Sequence, residues 1–123
     1  MVKPLFDTNI LIDYLNAVPE ARQELALYET WGVSIITWME VMIGADETTE
    51  AATRRFLANF DILPIDESVA ELAVVLRKAR RLKLPDAIIH ATASVHSMLL
   101  VTRNQKDFPW DAPGIRMPYR LKP

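Results

Sequence analysis

The sequence predicts an α/β domain built on a mainly parallel sheet of four to five strands. Two observations carry that expectation. Short apolar runs of strand length recur along the chain, and segments with helical spacing and recognisable cap residues separate them. Strands alternating with helices indicate a parallel sheet, because each return to the starting edge needs a crossover.

In chain order, Val2-Lys3-Pro4-Leu5-Phe6 reads as a first strand, and Asn9 to Leu15 as a short buried helix capped by Thr8 or Asn9. Pro19 suits the first position of a second helix, with Ala21, Leu25 and Tyr28 turned inward and Gly32 stopping it. Val33-Ser34-Ile35-Ile36 is a compact second strand. Thr37, with Glu40 three positions later, has the spacing of a capping box, so a third helix is expected from there. Thr48 or Thr49 opens a fourth, which carries Phe56, Leu57 and Phe60. Ile62-Leu63-Pro64-Ile65 is a short strand whose proline favours a strand end or edge. Asp66-Glu67-Ser68 starts a helix with Val69, Leu72, Ala73 and Leu76 on one face, and Pro85 starts another that runs to about Ser97. Met98 to Val101 is the fourth strand, and Gly114 to Met117 a short fifth.

The 123 residues, 1–123, form a single domain without repeats, low-complexity tracts or linkers. Hydrophobic residues make up 50% and charged ones 24%, which excludes a disordered chain. The net charge of −2 excludes a general polycation, yet a cluster of carboxylates would account for it and a bound cation would reverse the local sign. A nucleic-acid substrate therefore stays open. The absence of cysteine excludes disulfides, thiolate catalysis and cysteine-type zinc sites. No apolar run approaches the ~20 residues of a membrane span. Asp7 interrupts the N-terminal apolar stretch and no signal-peptide profile follows, so a soluble cytoplasmic protein away from membranes is expected. There is no Gly-x-Ser-x-Gly elbow and no Walker loop. His90 and His96 are six positions apart, too far around a helix to form a metal pair, and His90 reads as packing.

Acids carry the functional signal. Asp7 ends the first strand, Glu40 lies inside the apolar stretch Ile35 to Ile43, Asp86 opens the apolar segment Leu84 to Ile89, and Asp107 follows the fourth strand. Ligands in parallel α/β sheets sit beyond the carboxyl ends of the strands, and Asp7, Glu40 and Thr102 all belong near that edge. Carboxylates gathered there repel one another and call for a hard divalent ion such as Mg²⁺ or Mn²⁺. A metal-dependent phosphodiesterase follows. The run Arg77 to Lys83 precedes Asp86, and Arg80, Arg81 and Lys83 are candidate RNA contacts as well as ordinary cations at a helix C-terminus.

These motifs resemble the PIN-domain ribonucleases, and within them the VapC-type toxins of toxin–antitoxin pairs. The resemblance rests on Phe6-Asp7-Thr8-Asn9, Glu40, Leu84-Pro85-Asp86-Ala87-Ile88-Ile89 and Leu100 to Phe108, in that order, and covers essentially the whole chain. It implies a PIN-like three-layer α/β/α fold, with Asp7, Glu40 and Asp86 as core catalytic and metal-binding acids. The fourth contribution falls to Asp107 or Asn104. Thr8, Asn9, Thr102 and Asn104 would orient ligands or waters. The resemblance further implies endonucleolytic RNA cleavage, a homodimer and inhibition by a small VapB-like antitoxin that lays an apolar segment near the acids. Ile12, Leu15, Trp38 and Met42 are the apolar helical residues expected to remain for such partners.

Each acid also has an ordinary structural role open to it. Asp7 can cap the helix after it, Asp86 can favour a helix dipole, Asp107 can serve a turn, and Glu40 can complete its capping box. Trp31 and Trp38 suit core or interface, while Trp110 has no assigned role. One rival is a catalytically silent PIN-like module that binds RNA or protein. Another is a phosphatase with an N-terminal Asp nucleophile, but Asn9 stands where that chemistry wants a second Asp.

Overall fold

The computed structural model describes residues 2–108 and 112–121. Its elements are β1 (Pro4–Phe6), α1 (Thr8–Leu15), α2 (Pro19–Leu25), β2 (Gly32–Ser34), α3 (Ile35–Ile43), α4 (Glu50–Leu57), β3 (Asp61–Leu63), α5 (Glu67–Arg80), α6 (Leu84–Val95), β4 (Leu99–Val101) and β5 (Ile115–Arg116). The strands form one sheet in the order β3-β2-β1-β4-β5, and every neighbouring pair is parallel.

Side chains alternate across a strand, so successive residues feed opposite layers. Leu5 and Leu100 pack with Val69, Ala73, Ala87 and Ile89 of α5 and α6. Phe6, Val33 and Val101 pack the other face with Ile10, Leu11, Leu25 and Leu57. With both faces covered, every β1 and β2 residue is buried. The result is the expected three-layer arrangement.

The strand order sets the position of the site. The chain first extends the sheet from β1 through β2 to β3, then crosses back to lay β4 on the other side of β1. That reversal opens a crevice beyond the carboxyl ends of β1 and β4. Phe6 pairs with Val101, and the Asp7 N–H still donates to the Val101 carbonyl at 2.9 Å. Asp7 and Thr102 are therefore the first residues past the sheet on adjacent strands.

Several local expectations are corrected. Asp7, rather than Thr8 or Asn9, caps α1. Ser34 caps α3 by accepting from Ile36 N–H at 3.2 Å, so Ile35 and Ile36 begin the helix instead of ending the strand. The capping box of Thr37 and Glu40 does not form, because both residues lie within that helix. Helix α2 ends at Leu25, whose carbonyl accepts from the Trp31 indole at 2.9 Å, and Gly32 belongs to β2. The sheet leaves little room for a side chain there: a Cβ would meet Met98 Cε at 2.6 Å and the Pro4 carbonyl at 3.2 Å. Thr49 precedes α4 at its N-cap position but makes no side-chain capping bond, its hydroxyl pairing with Asp46 instead, and that helix stops at Leu57, before Phe60. Pro64 follows edge strand β3, consistent with its missing N–H.

Trp31 and Trp38 are partly buried against the core, and the Arg54 guanidinium lies over the Trp38 ring at 5.6 Å. Met42 packs there too, whereas Ile12 and Leu15 are exposed. Trp110 lies outside the described residues. Among the described residues, no helix is long and apolar enough to cross a membrane.

Candidate active site at the carboxyl edge of β1 and β4

Asp7 is only 3% exposed, and its carboxylate accepts three hydrogen bonds, one on Oδ1 and two on Oδ2. Oδ1 accepts from the Thr8 N–H at 2.7 Å. Oδ2 accepts from the Thr102 hydroxyl at 2.7 Å and the Asn9 amide at 3.2 Å. The capping role and the site role thus fall to different oxygens of one side chain. Burial is the main reason its pKa rises from 3.8 to about 6. The charges of Asp86 and Glu40 push the same way, while the Thr102 hydroxyl and Thr8 N–H oppose them.

Glu40 is half-buried on α3 and faces the start of α1. The Thr8 hydroxyl donates to its Oε1 at 2.7 Å and lies 3.0 Å from the buried Thr37 hydroxyl. Asp86 sits in the first turn of α6, where the helix dipole favours an anion. Its pKa is nevertheless raised, first by burial, then by the charges of Asp107 and Glu40, with Lys83 opposing. Asp107 and Asn104 hold each other reciprocally: the Asn104 amide donates to Asp107 Oδ2 at 2.9 Å, and the Asp107 N–H donates to Asn104 Oδ1 at 3.2 Å. The fold therefore gathers all four acids from four segments into one field. Asn104 N–H also donates to Thr102 Oγ1 at 3.0 Å, tying the last segment to Asp7.

The donor set is carboxylate, hydroxyl and amide oxygen, which matches a hard cation better than a soft one. Among the described residues, no three His, Cys, Asp or Glu side chains stand as a ready-made cage. Mg²⁺ needs no such cage, since it usually binds through one or two carboxylates and keeps several waters. The residues fit such an ion.

The basic run divides. Lys83 lies near enough to Asp86 to lower its pKa. Arg80 approaches His90 Nδ1 at 3.5 Å, and Arg81 ends α5 in the left-handed region at φ 55°. His90 itself meets the Phe108 ring edge-to-face at 5.5 Å and is partly buried, in keeping with packing.

Sequence reasoning missed two buried acids. Asp13 is clasped by Arg103 and Tyr119, and Glu24 by Arg116 and Tyr28. The signal that could have found the first was the one that singled out Glu40, an acid inside an apolar helix: Asp13 follows Ile10-Leu11-Ile12.

Residues 5–109 match the PIN domain family. Ribonuclease VapC10 of Mycobacterium tuberculosis is 32% identical over 113 residues, covering 85% of each chain. A chain from a toxin–antitoxin complex of Klebsiella pneumoniae is 48% identical, with a TM-score of 0.91 over 96% of this chain and 99% of that one. A chain from DNA-bound VapBC of Salmonella typhimurium is 26% identical, with a TM-score of 0.75 over 94% and 96%.

Proposed function

The chain belongs to the PIN domain family, and from that premise we propose that it is a VapC-like endoribonuclease toxin, dependent on Mg²⁺ or Mn²⁺ and inhibited by a cognate antitoxin. The observation that supports the reading is the mutual charge coupling of Asp7, Glu40 and Asp86, with Asp107 acting on Asp86, near the switch point of the sheet. The VapC ribonuclease relative supports RNA as the substrate, and the toxin–antitoxin neighbours support a VapB-like partner.

Bound among these acids, the ion would neutralise charge on the scissile phosphate and acidify a water. The chain's own residues set the geometry. Asp7, held in place by three donors, would be the first ligand. Glu40, held by Thr8, and Asp86 would divide the remaining roles of ligand and water orienter. Asp107, steadied by Asn104 and near enough to Asp86 to raise its pKa, would supply the fourth carboxylate. Purified protein should cut RNA in Mg²⁺, stop on chelation and stop again when the antitoxin is added. Intact RNA under these conditions would leave a silent module that binds RNA or protein.

The basic run supports substrate rather than metal in this reading. Replacing Arg80, Arg81 and Lys83 with Ser should weaken RNA binding and flatten its salt dependence, with metal affinity little changed. Binding measured across a salt series checks this; an unchanged slope would leave these residues as solvated helix ends.

An apolar cavity of about 390 Å³ beside Glu40, lined by Ile12, Leu15, Val41 and Ala52, supports docking of an apolar antitoxin segment next to the acids. Ile12 and Leu15 are each 42% exposed there. A homodimer belongs to the same reading, supported by further exposed apolar side chains such as Val74 and Val75.

A further inference from the structure

Asp13 is 3% exposed on α1 and takes no part in the acid ring. A carboxylate so placed persists only if its oxygens are fully paired. Arg103 supplies a fork, Nε to Oδ2 at 2.5 Å and Nη2 to Oδ1 at 3.1 Å, and the Tyr119 hydroxyl donates to Oδ2 at 2.7 Å. Such a bidentate pair fixes the plane and position of the guanidinium, beyond holding its charge.

The consequence lies in where Arg103 sits. It is flanked by Thr102, which donates to Asp7, and Asn104, which holds Asp107. Its own backbone N–H donates to Asn9 Oδ1 at 3.3 Å, and the Asn9 amide donates to Asp7 Oδ2 at 3.2 Å. Past the ladder bond from Thr102 N–H to the Arg116 carbonyl at 3.0 Å, this segment has left the sheet. A loop without strand pairing needs another anchor to hold a reactive geometry. We infer that Asp13, Arg103 and Tyr119 form a positioning latch that sets the Thr102–Asn104 loop and, through Asn9, the Asp7 carboxylate. The inference rests on the metal-dependent nuclease reading and extends it to residues outside the four acids.

The molecule contains its own control. Glu24 is equally buried and is clasped in the same way by Arg116, at 2.6 and 2.9 Å, and by the Tyr28 hydroxyl at 2.8 Å. That cluster ties α2 to β5, and its links toward the site are the Arg116 carbonyl, which accepts from the Thr102 N–H, and the Tyr28 ring against Phe6, both of which Tyr28→Phe leaves in place. Tyr119→Phe and Tyr28→Phe each delete one hydroxyl from an otherwise intact clasp, so their structural costs are matched. Mn²⁺ affinity, read from the spin resonance of free Mn²⁺, and steady-state RNA cleavage are measured for both. Asp13→Asn and its combination with Tyr119→Phe complete the set.

Outer partners of metal ligands typically govern about tenfold to a hundredfold of affinity or activity. Tyr119 acts one step further out. Tyr119→Phe should weaken Mn²⁺ binding and lower kcat by about threefold to tenfold, with KM little changed. Tyr28→Phe should leave both unchanged. Asp13→Asn should cost about tenfold or more, and the double variant should be no worse, because the latch acts as one unit. Equal Mn²⁺ affinity and kcat for Tyr119→Phe and Tyr28→Phe, with the wild type active, would overturn the latch alone. A wild type that neither binds Mn²⁺ nor cleaves would overturn the nuclease reading and the latch with it.

Discussion

Asp7→Asn is expected to abolish RNA cleavage and, at the same time, to raise the melting temperature of the metal-free protein. Activity is lost because the amide removes the charge that would hold an ion at the strand edge. Stability rises because that charge is unfavourable where it sits. The folded protein holds the Asp7 proton more tightly than the ordinary value of 3.8 implies, up to about 6, so ionisation in the native state works against folding. A rise of that size corresponds to about 3 kcal/mol as an upper figure. Part of that gain is offset. The new amide would face the Asn9 amide and lose the hydrogen bond donated by Thr102, at about 1–2 kcal/mol. A net of about 1 kcal/mol remains, or roughly 3–6 °C for a chain of this size.

The pH dependence of that difference follows from the sign of the shift. Below the unfolded pKa, Asp7 is protonated in both states and contributes no penalty. As pH rises from 3.8 through about 6, the unfolded chain ionises freely while the folded one resists, so wild-type stability falls relative to the Asp7→Asn variant. The gap in melting temperature should therefore open between pH 4 and 6 and stay constant above. Mg²⁺ should close it by stabilising the wild type more than the variant. Melts of both proteins across pH, with and without Mg²⁺, check each part. If Asp7 were only a cap, Asn would cap nearly as well and the melts should coincide.

Arg116→Met should have the opposite profile, a large loss of stability with the site chemistry retained below the melting point. Glu24 is 3% exposed, and removing its partner leaves a buried charge whose one remaining side-chain donor, among the described residues, is the Tyr28 hydroxyl. Breaking a buried pair typically costs about 3–5 kcal/mol. The lower end applies here because Arg116 is 43% exposed and water can partly replace it. A drop in melting temperature of about 10 °C is expected. Glu24→Leu in the same chain should recover most of it, since no unpaired charge then remains. Thermal melts of the single and double variants test this. A single variant as stable as wild type would show that the clasp contributes nothing.

Much of this was legible in the sequence, and the failures have physical reasons. Asp7 and Thr102 could be placed at one edge because each follows an apolar strand, and parallel α/β sheets expose those ends together, whereas Asp86 and Asp107 joined them through the resemblance of their segments. Glu40 was legible as an acid among apolar residues, even though its supposed cap partner Thr37 lies inside the helix. Caps were misassigned where several suitable residues stood close together. Ser34 and Thr37 differ by little as caps, each worth about 1 kcal/mol, and the packing of Ile36 against the core decides between them. Asp13 carried the same signal as Glu40, but its partner Arg103 is 90 positions away, and no local rule connects them. Gly32 was read as a helix stop because the close approach of Met98 and Pro4 is a property of the assembled sheet alone.

The chemistry of the RNA ends tests the carboxylate centre most directly. Water driven at phosphorus by a metal-dependent acid cluster displaces the 3′-oxygen and leaves a 5′-phosphate on the downstream fragment. Cleavage in Mg²⁺ that yields 5′-phosphate ends, and ceases with EDTA, is the predicted result. Products bearing 2′,3′-cyclic phosphates, or cleavage that persists in excess EDTA, would contradict it.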